Sequence, residues 1–177
     1  MITIKNISKK KKKTKKRQKS KILKAIVHIY PNKYNITGTI IIKQLSNLNK
    51  CSFKYDITGL SDGKHGFHIH ESGNLTDGCN SACAHFNPYN TNHGGVNSKE
   101  RHAGDLGNII SKNKKAKGKI IASDISLNNK KTNILGRTII IHQDEDDLGK
   151  GINEKKEESL KTGNAGKRLA CGIIGIY

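Results

Sequence analysis

The sequence predicts an all-β fold on three observations. Apolar residues gather in short runs rich in Ile, Val and Thr, no long stretch repeats them with a helical period, and Gly is abundant (18) while Trp is absent. At 177 residues the chain fits one domain with a sizeable core. Only 33% of residues are hydrophobic and 5% aromatic, so part of the chain is expected to stay outside that core.

Taken in order, ILKAIVHIY from Ile22 reads as a first strand. TGTIIIKQL, after a turn at Pro31 and Asn32, reads as a second, CSFKYDITGL alternates and ends a third at Gly59, and KHGFHIH is a fourth. An irregular stretch rich in Gly, Asn and Ser follows over residues 71–102. AGDLGNII, KGKIIASDISL and GRTIIIH supply three more strands, a second polar loop spans 143–167, and RLACGIIGIY closes the chain as the eighth. Structureless loops of that length in a compact domain are usually functional, so chemistry is expected where they meet the strands.

The net charge of +19 is uneven. Residues 1–24 hold 12 of the 33 Lys and Arg and no acid, which leaves 21 basic against 14 acidic groups, about +7, for the body. Residues 1–21, including KKKKKTKKRQKSK, repel themselves and bury nothing, so they are expected to be a disordered tail, with the folded domain over 22–177. Three roles fit the tail: none beyond solvation, a nuclear-import or nucleic-acid arm, or attraction to other polyanions or an anionic membrane. No aromatic residue is interleaved with the lysines, so stacking on single strands is not indicated. No apolar run approaches the about 18–20 residues of a membrane span, and no apolar segment of signal-peptide type follows the positive N-terminus. Cysteines 51, 79, 83 and 171 are too few for a disulfide scaffold. A cytoplasmic protein is expected, with nuclear or particle association open through the tail.

Eight histidines stand at 28, 65, 68, 70, 85, 93, 102 and 142. His68 and His70, two apart on a strand, share a face and can grip one ion from a rigid element. His142 ends the run TIIIH and in a closed sheet could lie beside them. The loop adds His85, His93, His102 and Asp105, the last two spaced H-x-x-D. Three imidazoles with one carboxylate make a tetrahedral zinc set, and four imidazoles suit copper. His28 is expected to be an ordinary surface residue and His65 to pack or hydrogen-bond beneath its strand.

HGFHIHESGNLTDGCNSACAHFNP, HGG, ERHAGDLGNI, GRTIIIHQDEDDLGKG and KTGNAGKRLACGIIGIY, in that order and spacing, resemble copper/zinc superoxide dismutase from about Lys24 to Tyr177. The resemblance implies an eight-stranded antiparallel Greek-key β-barrel, an immunoglobulin-like sandwich with two long functional loops, and usually a homodimer. It implies one copper per chain on His68, His70, His85 and His142, and one zinc on His85, His93, His102 and Asp105, with His85 bridging. Asp146 would link a copper His to a zinc His, and Cys79 and Cys171 would form a disulfide. Arg168 and Thr162 would flank the copper channel, and Glu158 and Lys161 would belong to the loop that steers superoxide. The implied activity needs a one-electron shuttle, which copper supplies and zinc does not, while a bridging His85 could release copper, take up a proton and return it.

Of the remaining cysteines, Cys51 is expected to be a packed thiol, and Cys83 is a competitor for Cys171 or a stray metal ligand. The chain departs from the family in its tail, in extra residues around 153–158 (INEKKEES), and in Ser72, which stands where many relatives carry a bulky apolar residue at the dimer contact. A copper chaperone is a further implied partner. The alternative to an active enzyme is a catalytically silent, dismutase-like protein that binds metal or engages the copper-loading machinery.

Overall fold

The computed structural model describes residues 23–45 and 49–177; the lysine-rich segment 1–21, with its expected disorder, lies outside the described residues. Nine strands follow in order: β1 (Lys24–Ile29), β2 (Thr37–Gln44), β3 (Lys50–Thr58), β4 (Gly63–His70), β5 (Asp105–Ser111), β6 (Lys115–Ser123), β7 (Thr138–His142), β8 (Arg168–Ile173) and β9 (Gly175–Ile176). Two antiparallel sheets result, ordered β6-β3-β2-β1-β9 and β5-β4-β7-β8. Because β3 pairs with β6 and β4 with β7, the connections cross between sheets in Greek-key fashion.

Alternation dictates the core. In β2, Ile40 and Ile42 are buried while Thr39 and Lys43 face outward, and in β3 Phe53, Tyr55 and Ile57 point in while Lys54 and Asp56 point out. They meet Phe67 and Ile69 of β4, Leu106 and Ile109 of β5, and Ile139 and Ile141 of β7 between the sheets. Every residue of β7 is buried, as expected of a central strand covered on both faces. A two-residue turn at Asn113 and Lys114, both with positive φ (53° and 60°), joins β5 to β6 and closes one side of the barrel.

Nine strands form where the sequence predicts eight, because the last run divides. β8 pairs with β7 as far as Ile173. Ile174 is buried; its N–H donates to the Arg137 carbonyl (2.8 Å) and its carbonyl accepts from Gly136 N–H (2.9 Å). The chain then crosses to the other sheet, where β9 pairs with β1. The second loop is not structureless either. Its extra residues form a 3-10 turn (Asn153–Lys155) and helix α1 (Lys156–Thr162). Glu157 and Glu158 in the first turn and Lys161 in the last complement the helix dipole, and Gly163, in the left-handed region (φ 71°), ends it.

Candidate metal centre

Strand β4 sets the site. Phe67 and Ile69 face the core, so His68 and His70 face the other side of the sheet, where loop 71–104 covers them. The loop is fastened to β4 by backbone bonds from Ile69 N–H to the Gly104 carbonyl (2.9 Å), Phe86 N–H to the Ile69 carbonyl (2.8 Å) and Glu71 N–H to the Ala84 carbonyl (2.9 Å). These bonds deliver His85 opposite His70. On β7 the pairing with β8 shifts register between Ile141 and His142, the kind of irregularity that re-aims a side chain. The second loop reaches back through His93 N–H, which donates to the Leu160 carbonyl of α1 (2.8 Å).

The outcome is two adjoining clusters. Donor atoms of His68, His70, His85 and His142 lie within 4.8 Å of one another, and so do those of His85, His93, His102 and Asp105; all are buried. The His68 and His85 rings are 4.1 Å apart. A third grouping, His68, His93 and Asp146, ties the two together: Asp146 accepts from His68 Nε2 through Oδ2 (2.9 Å) and from His93 Nε2 through Oδ1 (2.8 Å).

These hydrogen bonds fix which nitrogen each ring presents. His70 Nδ1 donates to the Cys83 carbonyl (2.8 Å) and His142 Nδ1 to the Gly166 carbonyl (3.2 Å). In the first cluster, His68 Nδ1, His70 Nε2 and His142 Nε2 are left buried and without a partner. Burying so many unsatisfied polar atoms is costly unless something else satisfies them, and lone pairs converging from neutral imidazoles are what a cation uses. On the second cluster, Nδ1 of His85, His93 and His102 all approach Asp105 Oδ1, at 2.9, 3.0 and 3.2 Å. Asp105 Oδ2 is meanwhile held by the N–H groups of His102 (2.8 Å) and Gly94 (3.1 Å). The residues therefore fit the two metals: an all-imidazole set for copper and a three-imidazole, one-carboxylate set for zinc.

Electrostatics agree. Burial, aided by the neighbouring His68, pushes the His142 imidazole down to about 2 and that of His85 to about 3. Burial also pushes His70 far down, with His85 adding to it. All three rings are thus held neutral, as metal binding requires. Burial opposes charge on His93 as well, but hydrogen bonds to Asp105 and Asp146 outweigh it and lift that ring to about 9. The two carboxylates are held well below their ordinary range because bonds from the histidines overcome the penalty of burial.

A cleft of about 820 Å³ opens onto the first cluster, bounded by His70, His85, His142, Thr162, Glu158 and Arg168. Arg168 does not hang free. Its Nη1 donates to the carbonyls of Cys79 (2.8 Å) and Asn80 (3.0 Å) and its Nη2 to that of Cys83 (2.7 Å). Cys79 is bonded to Cys171, with Cα atoms 5.7 Å apart, so the disulfide and Arg168 pin the same turn of the loop to β8. Thr162 Oγ1 donates to Glu158 Oε1 (2.6 Å), whereas Lys161 pairs with Glu157 (2.6 Å). The charged side chains lining the cleft balance, Lys161 and Arg168 against Glu71 and Glu158. The walls of the cleft are therefore not a purely cationic funnel.

Cys51, His28 and His65 fall where the sequence reading puts them, whereas Cys83 is neither a partner of Cys171 nor a metal ligand. Cys51 is buried, its thiol pushed up to about 12 by desolvation. Cys83 is a free, exposed thiol and joins neither cluster. His28 is exposed, and His65 is buried with Nδ1 and Nε2 near the carbonyls of His142 and Ser61, each at 2.9 Å. Beyond Asp146, sequence reasoning missed the groups that orient the ligands. Asn108 exchanges two 2.8 Å bonds with the Asp146 backbone, and Gly163 packs so closely on Asp146 and His93 that a Cβ there would collide with both. The carbonyls of Cys83 and Gly166 leave no mark on residue type, but the Gly in KTGNAGK at a helix end was a readable signal.

Comparison with known proteins bears directly on this arrangement. The profile of the family described as Copper/zinc superoxide dismutase (SODC) matches residues 36–174. A Cu-Zn superoxide dismutase of Paramecium bursaria Chlorella virus 1 is 56% identical over 142 residues, 79% of this chain and 73% of that protein. An extracellular Cu-Zn superoxide dismutase of Brugia pahangi is 44% identical over 163 residues, 89% of this chain and 78% of that one. Among solved structures, the clock protein EA4 superposes with a TM-score of 0.80 at 38% identity, covering 92% of this chain and all of EA4.

Proposed function

We propose that this chain, which belongs to the copper/zinc superoxide dismutase family, works through copper held by His68, His70, His85 and His142 and zinc held by His85, His93, His102 and Asp105. The reaction converts two superoxide anions and two protons into dioxygen and hydrogen peroxide. Copper supplies the one-electron redox chemistry, and zinc, which has none, supplies a fixed charge and organises the loop. The observation that carries the assignment is the pair of buried clusters that share His85: three ring nitrogens without partners in the first, and three Nδ1 atoms converging on Asp105 Oδ1 in the second.

The protein's own groups do the rest. His85 Nδ1 lies beside Asp105, so Nε2 remains for the first cluster and is the atom that can take up a proton and give it back while the ring stays anchored. Asp146 holds His68 and His93 by their outer nitrogens and so fixes their tautomers. Arg168, immobilised on three carbonyls at the mouth of the cleft, presents a positive charge to a diatomic anion, with Thr162 on the opposite wall and Glu158 and Lys161 on the rim. A missing ligand or a missing arginine would favour the catalytically silent reading, and the sequence carries all seven ligands and Arg168.

We further read the folded domain as residues 22–177, acting as a homodimer in the cytoplasm. Ile173 (45% exposed) and Ile176 (82% exposed) offer apolar surface for such a contact. Ser72 lies next to Ile173, because its carbonyl accepts from Thr138, the register partner of Ile173. No helix among the described residues is long and apolar enough to cross a membrane. The test of function is metal content and superoxide consumption of the purified protein and of His142→Ala. The variant is expected to lose copper and turnover and to keep zinc; equal turnover in both would overturn the assignment.

A further inference from the structure

His85, His93 and His102 must meet at one ion, yet none of the three stands on a named strand or helix. Among the described residues no backbone–backbone hydrogen bond joins segment 91–94 to segment 99–102. Side chains make the connection instead. The Thr91 hydroxyl donates to the Arg101 carbonyl at 2.7 Å. Thr91 is two residues before His93, and Arg101 is the residue before His102. Asn87, two residues after His85, clamps the Thr91 backbone from both sides: its Oδ1 accepts from the Thr91 N–H (3.2 Å) and its Nδ2 donates to the Thr91 carbonyl (2.9 Å). Asn87 Oδ1 also lies 3.3 Å from Thr91 Oγ1, but a hydroxyl has one proton and the shorter contact takes it. One threonine thus ties together the segments that carry all three imidazoles of the second cluster.

The point to which Thr91 fastens is itself fixed. Arg101 is buried, and its Nη1 donates to the carbonyls of His102 (2.7 Å) and Ala103 (3.2 Å). Its Nη2 donates to the Ser123 carbonyl at the end of β6 (2.6 Å). Asn92 adds an exposed tie, with its N–H and its Nδ2 each 3.2 Å from Glu100 Oε1. Gly94 sits so close to the Glu100 carbonyl that a Cβ there would collide with it. The chain of contacts therefore runs from β6 through Arg101 to Thr91 and on to Asn87. Ligands placed in this way before an ion arrives lose less freedom when it binds, which raises affinity.

We propose, on the reading that His85, His93, His102 and Asp105 hold zinc, that Thr91 is a positioning residue for that ion: its hydroxyl, with its backbone clamped by Asn87, sets the spacing of His93 and His102 and thereby the zinc affinity. Thr91 is not one of the cluster's donors, so it acts through the ligands. It also lines the cleft, so zinc affinity and not turnover is the readout that isolates this role.

The test titrates zinc into the metal-free full chain in competition with a chromophoric chelator, for the intact protein, Thr91→Val and Thr91→Ser. Valine keeps the branched shape and removes the hydroxyl, whereas serine keeps the hydroxyl. Losing a group that supports a metal ligand lowers affinity about 10–100-fold, and with Asn87 and Arg101 still in place Thr91→Val should fall at the lower end, about tenfold. Thr91→Ser should bind zinc like the intact chain. Copper affinity of the zinc-loaded chain should be unchanged in both variants, because His68, His70 and His142 are placed by β4 and β7, and it also reports that the variants are folded. Equal zinc affinity in the intact chain and Thr91→Val would overturn the proposal, as would equal losses in the two variants or a matching loss of copper affinity. An intact chain that takes up no zinc would overturn the ligand assignment, and the role of Thr91 with it.

Discussion

Replacing both members of the Cys79–Cys171 bond with serine, Cys79→Ser/Cys171→Ser, isolates what that bond contributes, and the double change leaves Cys83 with neither sulfur to pair with. The bond joins positions 92 residues apart. In the chain-entropy model a cross-link of that span removes roughly 16 cal/mol/K from the unfolded ensemble, or about 4.6 kcal/mol at 25 °C. For a chain of this size about 1 kcal/mol moves the melting midpoint by roughly 2–4 °C, so the metal-free variant should melt about 10–18 °C below the oxidised parent. Metal-free protein is the right sample, because bound metal adds its own stabilisation. Calorimetry or urea unfolding of the two proteins reads the difference. A loss below about 1 kcal/mol would refute the reasoning, since it would mean that the unfolded chain does not gain the freedom the model assigns to it. The variant should also lose turnover at full metal occupancy, because Arg168 rests on carbonyls of the turn that the bond secures.

Other consequences follow from the same geometry. Arg168→Gln should keep both metals while kcat/KM falls at least tenfold and responds less to ionic strength, an electrostatic effect of which superoxide dismutases are themselves a standard example; stopped-flow rates at several salt concentrations check it. Asp146→Asn keeps the shape but removes the acceptor charge on two ligand histidines, so metal affinity should fall about 10–100-fold in competition titrations. In the metal-free chain, His85 at about 3, His142 at about 2 and the still lower His70 sit below the ordinary value of 6.5, so the unfolded state binds more protons. Their contribution to stability is complete above about pH 6.5 and is lost as pH falls, with unfolding at pH 5 taking up about three protons. His93, raised to about 9, is protonated in both states there and contributes no slope; its own contribution is lost as pH rises through about 9. Denaturant unfolding of the apoprotein at several pH values reads both trends.

Much of this was legible in the sequence for reasons that can be named. Period-two alternation exposes β2 and β3, and the pair His68 and His70 declares a shared face because strand geometry leaves no other arrangement. His85, His93 and His102 come from a loop with no periodicity and Asp105 opens β5 directly after it, so their convergence was readable through family resemblance and not through local physics. Three features were hidden. The division of the last strand depends on the carbonyl of Arg137 and the amide of Gly136, which capture Ile174 from across the barrel. Helix α1 is a seven-residue polar segment with one buried side chain, Ser159, so it has no apolar stripe to betray it. The orientation of His70 and His142 depends on backbone carbonyls, which every residue type carries alike.

Two ions in neighbouring cages with one imidazole between them is the claim on which the rest stands. Diffraction from metal-loaded crystals on either side of the copper and zinc absorption edges tests it most directly. The account predicts one copper peak among His68, His70, His85 and His142 and one zinc peak among His85, His93, His102 and Asp105, with ligand distances of about 2.0–2.2 Å for the zinc. A single mixed peak, or an ion seated between His68, His93 and Asp146, would contradict it.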